Sequence, residues 1–222
     1  MKAAAARKPA PRLSRAARTE ALLHAARAVF AAKGYEQAAV AEIAARCGVV
    51  EGAVYKYFPT KRALLLAVLA RWYEEMFGDY ARELASIDGA RERLRFLIER
   101  HLRSIRDWPQ LCRLMFREVR AQPDYPDSPL YALNRRYSGL LLRVIEEGAA
   151  QGEFRADLSP RLVRDLIFGG IEHHTWRYLA DARTPASRRA ARAPDIARLA
   201  DPLTRLVCEG LMPRAPTRRK RA

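Results

Sequence analysis

The stretch GVVEGAVYKYFPTK, residues 48–61, decides how the front of this chain folds. It opens on a glycine, runs for the length of a short helix and stops at Pro59-Thr60. Gly48 suits a tight turn, and Val49 and Val54 are spaced to plug the gap between two crossing helices. The run before it, 40–46, sets Val40, Ile43 and Ala44 inward, with the small Ala44 where the helices cross. Further back, from Thr19, the residues Leu22, Leu23, Ala26 and Phe30 mark one helical face. Gly34 is placed to end that helix at a left-handed cap. Two short helices about a glycine turn, propped by a third, make a helix-turn-helix whose second helix fits a DNA major groove. Tyr55, Lys56, Tyr57 and Lys61 crowd one end of it, and both residue types donate to phosphate.

Charge supports this reading. The 222-residue chain carries a formal +16. Residues 1–18 hold six basic residues (Lys2, Arg7, Lys8, Arg12, Arg15 and Arg18) and no acid, and the last ten hold five more, again without an acid. Setting those aside leaves +5 for everything between, an ordinary value. Basic tails of this kind either serve as nucleic-acid-binding arms or aid solubility and reflect sequence bias. Cys47, Cys112 and Cys208 are odd in number and far apart, which suits neither a disulfide framework nor a zinc site. The first 15 residues are basic but hold no apolar run of signal-peptide length, and no stretch approaches the roughly 18 apolar residues of a membrane span. A soluble, cytoplasmic protein is expected.

The rest of the chain reads as helix throughout. Thr60 is a candidate N-cap for a long helix to about residue 84, Asp88 for one running to Trp108, and Pro109 suits the start of the next. Ser128-Pro129 and Ser159-Pro160 each pair a cap with a proline at the first helical position. An Arg/Ala/Pro-rich link, 183–194, precedes a last helix from about Asp195 to Leu211, in which Pro202 predicts a kink or a late start. The spacing predicts an all-α fold of about nine helices, with a three-helix DNA-binding head and a larger helical body for ligand binding and dimerisation. The boundaries expected are a basic flexible arm at 1–17, the helix-turn-helix domain at 18–64, the body at 65–211 and a basic tail at 212–222.

The run from Ala21 to Leu69 resembles the N-terminal domain of TetR/AcrR-type bacterial transcriptional regulators. The likeness rests on Phe30, Gly34-Tyr35, Val40, Glu42-Ile43-Ala44, Gly48-Val49, Gly52, Tyr55, Phe58, Lys61 and Leu64. It implies a homodimer whose reading heads lie about 34–36 Å apart on successive major grooves of a palindromic operator. By carry-over, Gly52 lets backbone approach DNA, Tyr55 and Lys61 hold phosphates, and Lys56 and Tyr57 lie near bases or backbone. The chain departs from the pattern at Val50-Glu51-Gly52-Ala53 and at Ala39, where hydroxyl residues are usual. Losing the caps at Ala39 and Val50 costs about 1 kcal/mol each. Glu51 is either a first-turn acid favoured by the helix dipole or a base reader accepting from cytosine N4. Arg12, Arg15 and Arg18 complete the expected DNA-binding set, and the basic arm is expected to compensate for the lost phosphate donors.

In the body, Trp108, Cys112, Met115, Phe116, Tyr131, Tyr137, Phe168, His173 and Trp176 are either plain core or the lining of a pocket. The resemblance favours a pocket for a small apolar or amphipathic effector, with fatty acids or acyl-CoA thioesters as one option. Arg135, Arg136 and Arg177 are placed either to pair an anionic group or to form surface salt bridges. His173 and His174 point about 100° apart on a helix and have no partner at ligand spacing, so neither a metal nor a cofactor is expected. Gly169-Gly170 inside a helix costs about 1 kcal/mol per residue and predicts close approach of another helix or a ligand. The resemblance maps a dimer interface onto about 160–180 and 195–211, with Gly169, Gly170, Leu199, Leu203, Leu206 and Val207 on it and Cys208 near the partner. The function expected is a ligand-responsive repressor, with the helix at 60–84 as the lever. The alternative is a basic, ligand-independent architectural protein with a packed body. No nucleophile–base spacing or phosphate loop supports an enzyme.

Overall fold

The computed structural model describes residues 14–180 and 193–212, the side chains of 77–79 and 81 excepted. Arg12 with the arm up to residue 13, the link at 181–192 and the tail from 213 lie outside the described residues. Two compact units divide after Val68. Among the described residues there are nine α-helices and no strand.

The first unit is built on α1 (Arg15–Gln37), α2 (Val40–Arg46), α3 (Glu51–Tyr55) and the first turns of α4 (Lys61–Ala85). Helix α1 starts earlier than its apolar face suggests, because Ser14 caps it by accepting from the Ala17 N–H at 3.1 Å. Arg15 and Arg18 therefore lie on a helix and not in an arm. Gly34 interrupts α1 at φ 74° and ψ 178°. Its φ is positive as expected, but its ψ is extended, a region essentially restricted to glycine. Leu22, Ala26, Val29, Phe30, Ile43, Ala44 and Val54 are buried together with Leu64 and Leu65. Neither Ala39 nor Val50 supplies a side-chain cap, whereas Thr60 accepts from the Ala63 N–H at 2.9 Å.

In the second unit α5 (Ala90–Asp107) is central and packs against α6 (Pro109–Leu114), α7 (Pro129–Ala150), α8 (Pro160–Leu179) and α9 (Ile196–Leu211). Its inner face, Leu94, Ile98, Leu102 and Ile105, is almost wholly buried. Asp88 does not cap α5. Gly89 occupies that position, and the Glu153 carboxylate accepts from the Ala90 N–H at 2.9 Å from the loop after α7. That loop is pressed home by Phe154, whose ring takes the space beside Gly148. Ser128 and Ser159 cap α7 and α8 with proline next in line, as their sequences predict. Asp195 caps α9, which continues through Pro202 without a late start. After α6 the chain widens into a π-helical turn, Met115–Val119, closed by the Arg120 N–H on the Met115 carbonyl at 2.8 Å.

Candidate nucleic-acid interface and ligand cavity

The turn between α2 and α3 is fixed from three sides. Gly48 has φ 65°, and Gly48 and Val49 donate to the Ala45 and Ala44 carbonyls at 3.1 and 3.0 Å. Arg18 reaches from α1 to donate to the Cys47 carbonyl at 3.0 Å, satisfying the end of α2. Glu42 takes Lys33 at 2.5 Å and Arg46 at 3.1 Å, and the Lys33 hydrogen bond, ahead of Arg46, holds its pKa below the usual range. These contacts make α2 and α3 a rigid pair presented by α1. Arg18, expected to touch DNA, is half-buried and positions the turn.

The outer surface of α3 carries Val50 (77% exposed), Glu51, Gly52, Tyr55 and Lys56, with Ala53 and Tyr57 half-buried. A Cβ on Gly52 meets no atom within 4 Å, so its surface is open to backbone approach. The Tyr55 hydroxyl donates to Glu51 at 3.3 Å, which gives that acid an intrahelical role. Lys61 donates to the Glu36 carbonyl at 3.1 Å with its ammonium 4.6 Å from the Tyr35 ring centroid. The Arg15 guanidinium sits 5.6 Å from the Tyr57 ring. To donate to phosphate, Tyr55 must release Glu51, whereas Lys61 keeps two further N–H groups beside its bond to Glu36.

Within the body a cavity of about 810 Å³ opens among α4–α8, a volume usual for a small-molecule site. The π-helical turn contributes Met115 and Phe116 to its wall and sets Arg120 just beyond. Such turns are rare and often functional. Cys112, Tyr131, Arg135, Tyr137 and Phe168 complete the seven expected residues that line it. Tyr137 and Phe168 stack with centroids 5.5 Å apart, and His101 lies 4.7 Å from Phe168. Burial pushes the Cys112 and Tyr73 pKa values well up, so both stay protonated. Four arginines (Arg120, Arg135, Arg161 and Arg164) face two acids, Asp165 and Glu172, around the wall. Arg120 pairs with Glu172 and Arg164 with Asp165, both at 2.7 Å, so the balance favours an anion.

The description "Bacterial regulatory proteins, tetR family" matches residues 22–68, and "Tetracyclin repressor-like, C-terminal domain" matches 88–180. The transcriptional activator FasR of Mycolicibacterium smegmatis is 31% identical over 82% of this chain and 74% of its own. This chain belongs to the TetR family of bacterial regulatory proteins. The fatty acid metabolism regulator protein of Bacillus subtilis is 27% identical over 70% of this chain and 81% of its own. The fold is shared with FadR from Bacillus subtilis in complex with stearoyl-CoA, at TM-score 0.71 and 23% identity, over 86% of this chain and 98% of that one.

Four residues expected in the pocket of this TetR-family regulator lie off it. His173, Trp176 and Arg177 are exposed on α8, and Trp108 is 43% exposed beyond the end of α5. The helical period explains the misplacement: Ile167, Ile171 and Thr175 take the buried face of α8, which turns 173, 176 and 177 outward. Leu162, Leu166, Gly169, His173 and Trp176 form one exposed stripe instead. Gly169 also lines the cavity, and within the chain a Cβ on Gly169 or Gly170 meets nothing within 4 Å. On α9 the inner face is Ile196, Ala200, Thr204, Cys208 and Leu211. Cys208 is thus buried in its own chain. Leu199, Leu203 and Val207 are half-buried and Leu206 is 69% exposed.

Sequence reading missed Trp72, Tyr73, His101, Arg120, Arg161 and Arg164 as cavity residues. His101 left a signal, because it interrupts the apolar stripe of α5 at a core position. The arginines left none, since a solvated face and a cavity wall look alike in one dimension. Among the described residues, no helix is long and apolar enough to cross a membrane, and no three His, Cys, Asp or Glu side chains cluster as a metal site.

Proposed function

We propose that this TetR-family regulator represses transcription as a homodimer on a palindromic operator, and that an anionic amphiphile in the body cavity releases it. The cavity carries this reading. Aromatic and sulfur side chains share its wall with arginines that outnumber the acids two to one. That combination suits an acyl chain with a carboxylate or phosphate-bearing head, such as a fatty acid or acyl-CoA thioester. The names of the Bacillus subtilis relatives point the same way. An architectural protein with a solid body has no use for such a space. The exposed stripe on α8 and the outer residues of α9 support the dimer, since large apolar patches on one helix face mark interaction sites. Helix α4 has residues in both units, so occupancy of the cavity has a covalent route to the head. Release then follows from a population shift toward the form that the ligand prefers. The protein acts by binding and not by catalysis.

Footprinting on DNA upstream of the protein's own gene tests the first half, with protection expected over two half-sites about one helical turn apart. Titrating octadecanoyl-CoA, octadecanoate and free coenzyme A into the complex tests the second. Release by the acyl compounds and not by coenzyme A is expected. A footprint that all three leave unchanged removes this effector class.

A further inference from the structure

The cavity wall contains two buried nitrogens that the protein itself leaves unmatched. Trp72 is 4% exposed and His101 is 7% exposed, and both line the cavity. Trp72 Nε1 and His101 Nε2 have no hydrogen-bond partner among protein groups. The other imidazole nitrogen is engaged, with Nδ1 2.8 Å from the Tyr137 hydroxyl. Such an arrangement is uncommon, because a buried polar group left unsatisfied loses its solvation without return. Two such nitrogens on residues that line one cavity, beside its rings and thioethers, mark a place for a polar atom.

The chemistry of that atom follows from the two nitrogens. An indole N–H only donates, so the atom facing it is an acceptor. When the Tyr137 hydroxyl donates to Nδ1, Nε2 carries the proton and also donates; in the opposite tautomer Nε2 accepts, which suits a hydroxyl. His101 stays neutral at working pH because burial, and secondarily the Arg120 charge, lower its pKa to about 3. It therefore offers a dipole and no ionic attraction, and an anionic head gains more at the arginines. Resting on the effector reading above, we propose that the effector carries a hydroxyl or carbonyl oxygen within the part lying among the aromatic rings, hydrogen-bonded by Trp72 and His101. A plain hydrocarbon segment at that point leaves both nitrogens bare. Trp72 and His101 are then specificity-determining residues, discriminating oxygenated from unoxygenated ligands of equal length.

Two sources supply such an oxygen, a substituent on the chain or the thioester carbonyl itself. Affinities are measured by calorimetry for two probe pairs: 12-hydroxyoctadecanoate against octadecanoate, and hexadecanoyl-CoA against S-hexadecyl-CoA, which lacks the carbonyl. The proteins are the full chain, Trp72→Phe and His101→Leu. The readout is the affinity ratio within each protein, so a variant that binds everything more weakly still reports. Loss of one variant to misfolding leaves the other to decide. The unaltered protein is expected to prefer the oxygenated member of one pair by roughly 5- to 150-fold, the span of a single unsatisfied buried group. Each variant is expected to lose most of that preference. The first pair responding identifies a chain oxygen, and the second identifies the thioester carbonyl. No preference in either pair, or a preference that both variants retain, overturns the proposal. Failure of all four probes to bind overturns the effector class itself, a different outcome.

Discussion

Lowering the pH from 7 to 5 should destabilise the body through one side chain, His101. Burial among α5, α7 and α8 holds its pKa at about 3 in the fold, with the Arg120 charge adding to the effect. An unfolded chain returns it to about 6.5. The folded pKa is depressed below the unfolded one, so between those values the unfolded state binds one proton more. Stability accordingly falls as pH falls through 6.5 and keeps falling toward 3. From pH 7 to pH 5 the loss is about 2 kcal/mol, from full protonation of one unfolded histidine against none in the fold. The assay is urea unfolding at both pH values, followed by tryptophan fluorescence, for the full chain and for His101→Leu. The substitution also removes the 2.8 Å contact with Tyr137, but that loss is the same at both pH values and cancels in the difference. Carboxylates with lowered pKa, such as Glu42, titrate alike in both proteins. The full chain should lose about 2 kcal/mol more than the variant between the two pH values. Equal pH dependence in the two proteins would refute the claim that His101 is held neutral by burial.

Gly148→Ala should cost about 1–3 kcal/mol, because the new Cβ meets Phe154 Cδ2 at 2.5 Å and the Ala90 Cβ at 2.7 Å. Thermal melts should show it, and a simultaneous Phe154→Leu should recover part of the loss. Deleting residues 1–13 removes Lys2, Arg7, Lys8 and Arg12 while sparing the Ser14 cap of α1. The slope of log K against log salt should flatten by up to about 3.6 per chain, from four phosphate contacts, and an unchanged slope rules the arm out as a DNA contact. Glu51→Gln keeps the shape of α3 but removes a negative charge from its outer surface. Affinity for random-sequence DNA should rise several-fold; a fall confined to operators with cytosine at one fixed position would instead make Glu51 a base reader.

Local rules settled much of this protein from one dimension. The caps at Thr60, Ser128 and Ser159 and the break at Gly34 each depend on residues within about four positions of one another. Such features survive without knowledge of the rest of the chain. The same holds for the missing caps at Ala39 and Val50. What failed was direction. His173, Trp176 and Arg177 were assigned to the pocket by residue type, but the buried Ile167, Ile171 and Thr175 fix the rotation of α8 and send them outward. Cys208 went the other way, inward with Ala200 and Thr204. The cap of α5 failed for a related reason, since Glu153 arrives from 63 residues along the chain.

The sequence by itself determined an all-α chain with a DNA-reading head, because helix spacing and turn chemistry are short-range and the head's motif lies within some 50 residues. Only tertiary structure decided what the body offers a ligand. Trp72 from α4, His101 from α5, Arg120 from beyond the π-helical turn and Phe168 from α8 line one cavity because five helices, α4–α8, contribute to it. Each helix's rotation there is set by apolar burial over its whole length, a balance that no local stretch contains. The same packing leaves Trp72 Nε1 and His101 Nε2, on two residues that line the cavity, buried without protein partners.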